Sequence, residues 1–423
     1  MYHPAVIEKR LNRLADGIRR SIDPRFEFRE TPLSEIEARS AELEDIYDSE
    51  AEKLRRPLTR DEEAFIRHEI NRSKVDFGYW AHRFAKIKTK SQELLPLTFT
   101  HVQTLLMKKI ADAEIKALQG TTGDGILLAV LKARQLGVST ISEAIISHRI
   151  FFYGNTSALI AADVDERSSH LFGMTVRIYD NLPWWMRPVR TYFVKGKQMY
   201  FKEQDSIITV MASKNMQGGD SGSDKGSVGT GQTYPLVHLS ELALWENPQQ
   251  IDDALMPSIP MHARTFCIFE STAKGRGNWW HEKWLLSKRG LSRRTPVFIP
   301  WYTDPETYKL PAPVDWTPNE ISKAHAQRVK ETSPLWLGYS MILSKDQLYW
   351  WERTRAEHVA DRKLPVFLAE YAADDLEAFQ NTTIGVFPAE LIDGMKLRAT
   401  RYMPTLVEIR PRMGGLADAE RAG

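Results

Sequence analysis

The sequence holds a single cysteine, Cys267, among 423 residues. One thiol closes no intrachain disulfide and builds no cysteine-based metal site. Set between Phe266 and Ile268, it reads as a small buried hydrophobe. No run of about 18 apolar residues occurs, which argues against a membrane-spanning helix. The opening, MYHPAVIEKRLNRLADGIRRSID, lacks the apolar core of a secretory signal, and Glu8 and Asp16 argue against a transit peptide. An intracellular protein is the expectation. An excess of charge of one sign is missing too: 57 basic against 55 acidic residues leave +2. Any nucleic acid must then be met by local patches rather than by an overall field. Internal repeats are absent.

The remainder is ordinary for a globular chain, 42% hydrophobic and 26% charged, so an ordered core is expected. Tryptophan is abundant, with adjacent pairs at Trp184–Trp185, Trp279–Trp280 and Trp350–Trp351. Core packing accounts for such residues first; stacking on bases is the alternative.

Residues 1–94 are charge-rich with apolar positions at three- and four-residue intervals, which predicts several amphipathic helices, either a docking arm or part of the main body. Over 95–301 short apolar runs alternate with helical segments: ILLAVL at 126–131, TSALIAA at 156–162, YPLVHLS at 234–240, RTFCIFEST at 264–272 and TPVFIPW at 295–301. Such runs predict a parallel sheet covered on both faces, an α/β fold. TYFVKGKQMYFKEQDSIITVMAS, centred on Lys195-Gly196, predicts a β-hairpin insertion. SKNMQGGDSGSDKGSVGTGQ, which follows, predicts a long functional or disordered loop. Residues 302–390 read as a helical, aromatic lid, and 391–423 as a basic linker or tail.

The segment LLAVLKARQLGVSTISEAIISHRIFF is a buried strand, a loop and a helix starting near Ser139. Such a junction offers free backbone N–H groups and the positive end of a helix to phosphate. Gly137 lets the backbone approach closely, and Ser139 or Thr140 can offer a hydroxyl to Mg²⁺. The pattern G-x-x-x-x-G-K-[ST] is matched imperfectly: Val138 stands at the lysine position and Lys132 at the opening glycine. A cation against the β- and γ-phosphates would then come from Lys132 or Arg134. The alternative is a plain strand-to-helix turn.

A phosphate-loop enzyme also needs an acid at the end of a neighbouring strand. Glu241 ends the run YPLVHLS, with Ser240 where an aspartate is usual, and could orient the attacking water. Its alternative is a helix-capping glutamate. Ser271 and Thr272 end the next run, at the edge where ligands of such sheets collect. Gln103, upstream, could pair with an adenine edge.

The segments TFTHVQTLL, LKARQLGVST, ALIAADVDERSSHLF, TYPLVHLSELALW, FESTAKGRGNWW, FIPWYTDPETY and FLAEYAADDLEAFQ occur in this order. Together they resemble the large terminase subunit of tailed bacteriophages, whose phosphate loops also depart from the standard by a basic residue at their start. The resemblance implies an additional-strand P-loop ATPase with a mainly parallel sheet. It implies an ATP- and Mg²⁺-dependent motor that moves double-stranded DNA into a procapsid. Gln103 would contact adenine, while Lys132, Arg134, Gln135, Leu136, Gly137, Val138, Ser139 and Thr140 would form the phosphate loop. Ser139, Ser240 and Glu241 would hold the metal, with Glu241 and Arg134 catalytic and Ser271, Thr272 and Ala273 coupling. Implied partners are double-stranded DNA without sequence preference, the portal protein, the small terminase subunit and further copies in a ring, a pentamer on the portal. The isolated chain would be a monomer, in the host cytoplasm and transiently on the procapsid.

Two departures stand out. The arginine often found beside the glycine before the acidic strand is replaced near Thr230, with Lys225 the nearest upstream cation. A strand opening a nuclease domain is not evident before Gly423, where Glu408, Asp418 and Glu420 stand alone, so no DNA cleavage is expected from this sequence. A truncation in the linker is one explanation and a separately encoded motor the other. Competing readings are a helicase-like P-loop translocase and a nucleotide-binding structural protein with a decayed loop.

Overall fold

In the computed structural model the described residues are 32–49, 53–118, 125–194, 197–216 and 232–380. All belong to one unit, Met1–Gln380. The predicted hairpin centre Lys195-Gly196, residues 217–231 of the glycine-rich segment with Lys225 and Thr230, and the tail with Glu408, Asp418 and Glu420 lie outside them; the first residues of that segment, Ser213–Met216, form a short helix rather than a loop.

The apolar runs become strands of one eight-stranded sheet. In chain order these are β1 (Ile126–Lys132), β2 (Ser157–Ala162), β3 (Tyr192–Val194), β4 (Gln198–Phe201), β5 (Ser206–Ala212), β6 (Leu236–Leu239), β7 (Phe266–Ser271) and β8 (Thr295–Ile299). Their spatial order is β8-β1-β7-β6-β2-β5-β4-β3. From β8 to β5 every pairing is parallel, while β4 and β3 add antiparallel strands at one edge. β7 stands between β1 and β6, the additional-strand arrangement. The predicted hairpin is thus partly corrected. Its flanks 192–194 and 198–201 pair antiparallel, but its last strand, β5, joins the parallel sheet beside β2. β5 is mostly buried, so an inserted, solvated hairpin could not accommodate it.

Successive side chains of a strand point to opposite faces, and here both faces are dry. Ile126, Leu128 and Val130 of β1 enter one core, Leu127, Ala129 and Leu131 the other. The first core lies against α5 (Val138–Phe152), the second against α7 (Pro248–Leu255) and α8 (Trp279–Lys288). The other helices named below are α1 (Leu33–Asp45), α2 (Arg60–Val75), α3 (Phe77–Arg83), α4 (His101–Leu118) and α6 (Asp165–Asp180).

α5 is apolar around almost its whole circumference because it is covered on both sides. Its outer side meets Trp80 of α3, whose ring contacts His148, Phe151 and Phe152. Leu43 and Trp184 extend that contact, the Trp184 indole N–H donating to the Leu43 carbonyl at 2.9 Å. The described part of the N-terminal region is therefore packed into the body. After β8 the chain is helical, with α9 (Glu320–Leu337), α10 (Lys345–Ala360), α11 (Leu364–Glu370) and α12 (Asp375–Ala378). Trp301, His325 and Trp351 stack there, with the His325 and Trp351 rings 4.0 Å apart. Tryptophan serves the core throughout: Trp80, Trp280, Trp284, Trp301 and Trp351 are fully buried.

Candidate active site

Parallel strands bring their carboxyl ends to one edge, so the turns after β1, β6 and β7 meet there. The turn after β1 is the predicted phosphate loop. Gln135 and Gly137 are both left-handed, with φ of 55° and 70°. Gly137 is the N-cap of α5 and has no side chain with which to cap it, so the first N–H groups of the helix stay open. A Cβ on Gly137 would stand 2.8 Å from Gln103 Nε2. Leu136 and Val138 are buried in the α5-side core. Position 138, where the standard motif has lysine, therefore anchors the helix instead of reaching a phosphate. Thr140 lies half-buried in the first turn of α5.

Gln103 sits beside this loop on α4. Its side-chain oxygen accepts from the Thr100 N–H at 3.0 Å, and the Thr100 hydroxyl accepts from the Gln103 N–H at 3.2 Å. That is a capping box, and its sequence signature T-x-x-Q was legible. The amide nitrogen of Gln103 donates to the Gly137 carbonyl at 3.0 Å. Each amide function makes one bond within the protein and keeps a second hydrogen-bonding position, so an adenine edge could be met without breaking either.

At the end of β1, Lys132 is almost fully buried. Its ammonium lies 3.4 Å from Glu241 Oε1 and 3.9 Å from Glu270 Oε2. Burial opposes its charge, but Glu270 and Glu241 outweigh that and raise its pKa. Glu241 is itself left-handed, with φ 57°. A non-glycine residue held there costs of order 1–3 kcal/mol and commonly marks a functional turn. It precedes a short 3₁₀ turn, Leu242–Leu244, without a side-chain capping bond; its carboxylate faces Lys132 instead. Arg134 points elsewhere: its guanidinium pairs with Glu370 of α11 at 2.7 Å, and its carbonyl accepts from Tyr308 OH.

Beyond the predicted residues, the fold assembles a buried ionic chain. Glu270 of β7 is fully buried, and its Oε1 accepts from Ser139 Oγ at 2.7 Å and Ser240 Oγ at 3.0 Å. His238 Nε2 lies 3.1 Å from the same oxygen, and His238 Nδ1 lies 2.6 Å from Glu143 Oε1 on α5. Thr175 of α6 donates to the other Glu143 oxygen at 3.1 Å. Burial would lower the His238 pKa, but the hydrogen bonds and charges of Glu143 and Glu270 raise it to about 9. Burial would raise that of Glu270, but Lys132, His238 and Ser139 outweigh it and hold it at about 2. An imidazolium between two carboxylates satisfies both its N–H donors.

Glu143, His238 and Glu270 were missed in the sequence because each stands in an apolar run. The available signal was parity. His238 pairs with Ile268, and Glu270 lies two residues beyond Ile268, so both point to the α5 side. Ser271 Oγ, on the opposite parity, accepts from the Ala243 N–H at 3.1 Å. It thereby ties the end of β7 to the segment after Glu241. Thr272 and Ala273 are buried beside it.

The structure thus gathers Lys132, Ser139, Ser240 and Glu241 at one point, with Gln103 on the loop's flank and Arg134 facing α11. The donors Ser139, Ser240, Glu241 and Glu270 are all oxygens, which suits a hard cation such as Mg²⁺. Glu270 Oε2 is buried without a hydrogen-bond partner among the described residues, so the set retains unused donor capacity. No group of three or more His, Cys, Asp and Glu forms a ready-made metal cage among the described residues. Mg²⁺ needs none where substrate phosphates and water complete its shell.

No family model matches the sequence, and no curated protein does. Solved structures similar to it include two phage large terminases. The bacteriophage HK97 large terminase shares 16% identity at a TM-score of 0.45, over 70% of this chain and 53% of that one. An ATPase-domain mutant of the Thermus phage P74-26 large terminase shares 14% identity at a TM-score of 0.36, over 62% of this chain and 92% of that one. The chain spans about half the length of the HK97 protein, and what it is similar to is the large terminase of tailed bacteriophages.

Proposed function

We propose that this chain binds ATP at the carboxyl edge of β1, β7 and β6 and hydrolyses it to move double-stranded DNA into a procapsid. The observation that carries the reading is the meeting of Lys132 and Glu241, 3.4 Å apart, beside an uncapped helix start. Lys132 leaves its acidic partners for the phosphates while the N–H groups of α5 cradle them. Ser139, Ser240 and Glu241 would hold Mg²⁺, which would neutralise phosphate charge. Glu241 orients water in line with the γ-phosphate, so positioning and electrostatics carry the catalysis. Ser271 links β7 to the segment after Glu241, a route by which phosphate loss reaches the rest of the motor.

Arg134 is shared between nucleotide and α11, and Gln103 between adenine and the loop. DNA contacts go to phosphates, so they are salt-dependent and indifferent to sequence. The portal, a small subunit and further copies in a ring are the expected partners, and the host cytoplasm the setting.

The test is Mg²⁺-dependent ATP hydrolysis by the wild type and by Lys132→Ala, Arg134→Ala and Glu241→Gln. Glu241→Gln should bind ATP yet turn over at least about 100-fold more slowly. Wild-type turnover matched by Glu241→Gln would remove the catalytic assignment. An inactive wild type, even with DNA and portal, would favour a nucleotide-binding structural role.

A further inference from the structure

Phosphate-loop enzymes ordinarily place an aspartate at the end of the strand that carries the catalytic glutamate, where it orders Mg²⁺ together with the loop hydroxyl. Ser240 occupies that position here. A serine hydroxyl carries no negative charge and is a weak partner for a hard dication, so the site lacks a carboxylate where one is needed.

The adjacent strand supplies one. β7 lies between β1 and β6, and Glu270 near its end projects toward the start of α5. Its Oε1 accepts from the Ser139 hydroxyl at 2.7 Å and from the Ser240 hydroxyl at 3.0 Å. The carboxylate therefore stands within hydrogen-bonding reach of the side chain an aspartate at 240 would replace. A serine hydroxyl has one proton and two lone pairs, so Ser139 can donate to Glu270 while its oxygen remains available to a cation. The second oxygen, Oε2, is fully buried and has no hydrogen-bond partner among the described residues; Lys132 Nζ lies 3.9 Å from it. A buried carboxylate oxygen left this way is costly unless something else engages it. If Lys132 turns to the phosphates, that oxygen loses this charge as well.

We infer that Glu270 is the metal-ordering carboxylate of this site, moved from β6 to the intervening strand β7 and paired with Ser240 in place of the usual aspartate. The inference rests on the nucleotide-binding reading above. On this view Glu270 acts as a positioning residue: it orients the Ser139 hydroxyl and the water shell of Mg²⁺. His238 and Glu143 behind it hold its Oε1 in place.

The test is the tightening of a fluorescent ATP analogue by Mg²⁺, read as the ratio of Kd without and with the metal. It compares wild type, Glu270→Gln and the double variant Ser240→Asp/Glu270→Gln. Glu270→Gln should lose roughly 10- to 100-fold of that Mg²⁺ effect, the usual cost of removing an outer-shell partner. The double variant returns a carboxylate to β6 and should regain the Mg²⁺ effect, which a merely structural role for Glu270 would not produce. It also preserves a buried negative charge for Lys132 and His238, so it remains informative if the single variant folds poorly. An unchanged Mg²⁺ effect in Glu270→Gln, or a folded double variant without rescue, overturns the inference. A wild type that binds no nucleotide overturns the functional reading instead.

Discussion

Gly137 shows how much one residue decides at this site. Its positive φ disfavours a side chain, and a Cβ there would push away Gln103 Nε2, 2.8 Å distant. Gly137→Ala should destabilise the protein by about 1–2 kcal/mol through the left-handed backbone alone. The clash should also part Gln103 from the loop. Chemical denaturation checks the first effect, and unchanged stability would mean that the loop adopts another backbone. His238 makes a different demand. Its pKa is raised to about 9 from 6.5, so its stabilising contribution is complete below 6.5 and disappears as pH rises through about 9. Glu270 works on the acid side: held at about 2, it stabilises above 4.5 and stops doing so as pH falls toward 2. The groups facing His238 are Glu143 and Glu270, so His238→Gln should flatten the alkaline decline. Urea midpoints measured from pH 6.5 to 9 would show this; an equally steep decline in the variant would assign it to other groups.

At the scale of elements, the proposed phosphate loop is held from both flanks. Gln103 attaches it to α4, and Arg134 attaches it to α11 through Glu370. The Arg134 pair is partly exposed, so its own worth is small, about 0–1 kcal/mol. Its consequence is for binding, because an arginine engaged by Glu370 is withheld from phosphate. Glu370→Gln should leave stability nearly unchanged and tighten nucleotide binding severalfold. Weaker binding in that variant would show instead that Glu370 supports the occupied state. The elements themselves were largely legible: ILLAVL, TSALIAA, YPLVHLS, RTFCIFEST and TPVFIPW all contain strands. The run SIITVMA was the exception, read as part of a hairpin because the strands before it alternate. Its parallel pairing with β2 leaves no local mark.

For the whole molecule, the proposed nucleotide site is built from the sheet edge, α5 and the loop that α11 holds, so occupancy should stabilise the unit as a whole. A nonhydrolysable ATP analogue with Mg²⁺ at about 100 times its Kd should add about 2.7 kcal/mol to unfolding. A thermal or denaturant transition that does not move would mean that the native state does not bind nucleotide. The N-terminal helices share that fate, because Trp80 and Trp184 bury them against the same body.

The sequence by itself determined the strand-loop-helix around Gly137, the acid at Glu241 and the alternation of buried strands with helices. These are local properties, set by backbone freedom and side-chain periodicity within a few residues. That β7 enters between β1 and β6 was implied by the family resemblance and is borne out by the tertiary structure; no residue pattern marks it, because parallel neighbours are joined by long crossovers that carry no register of their own. That insertion brings Glu270 to Ser139 and Ser240, while the packing of α5 and α11 sets His238 against Glu143 and Arg134 against Glu370. An isolated glutamate in FCIFES has no visible partner in the chain; it acquires its partners when strands distant in sequence share a pleat.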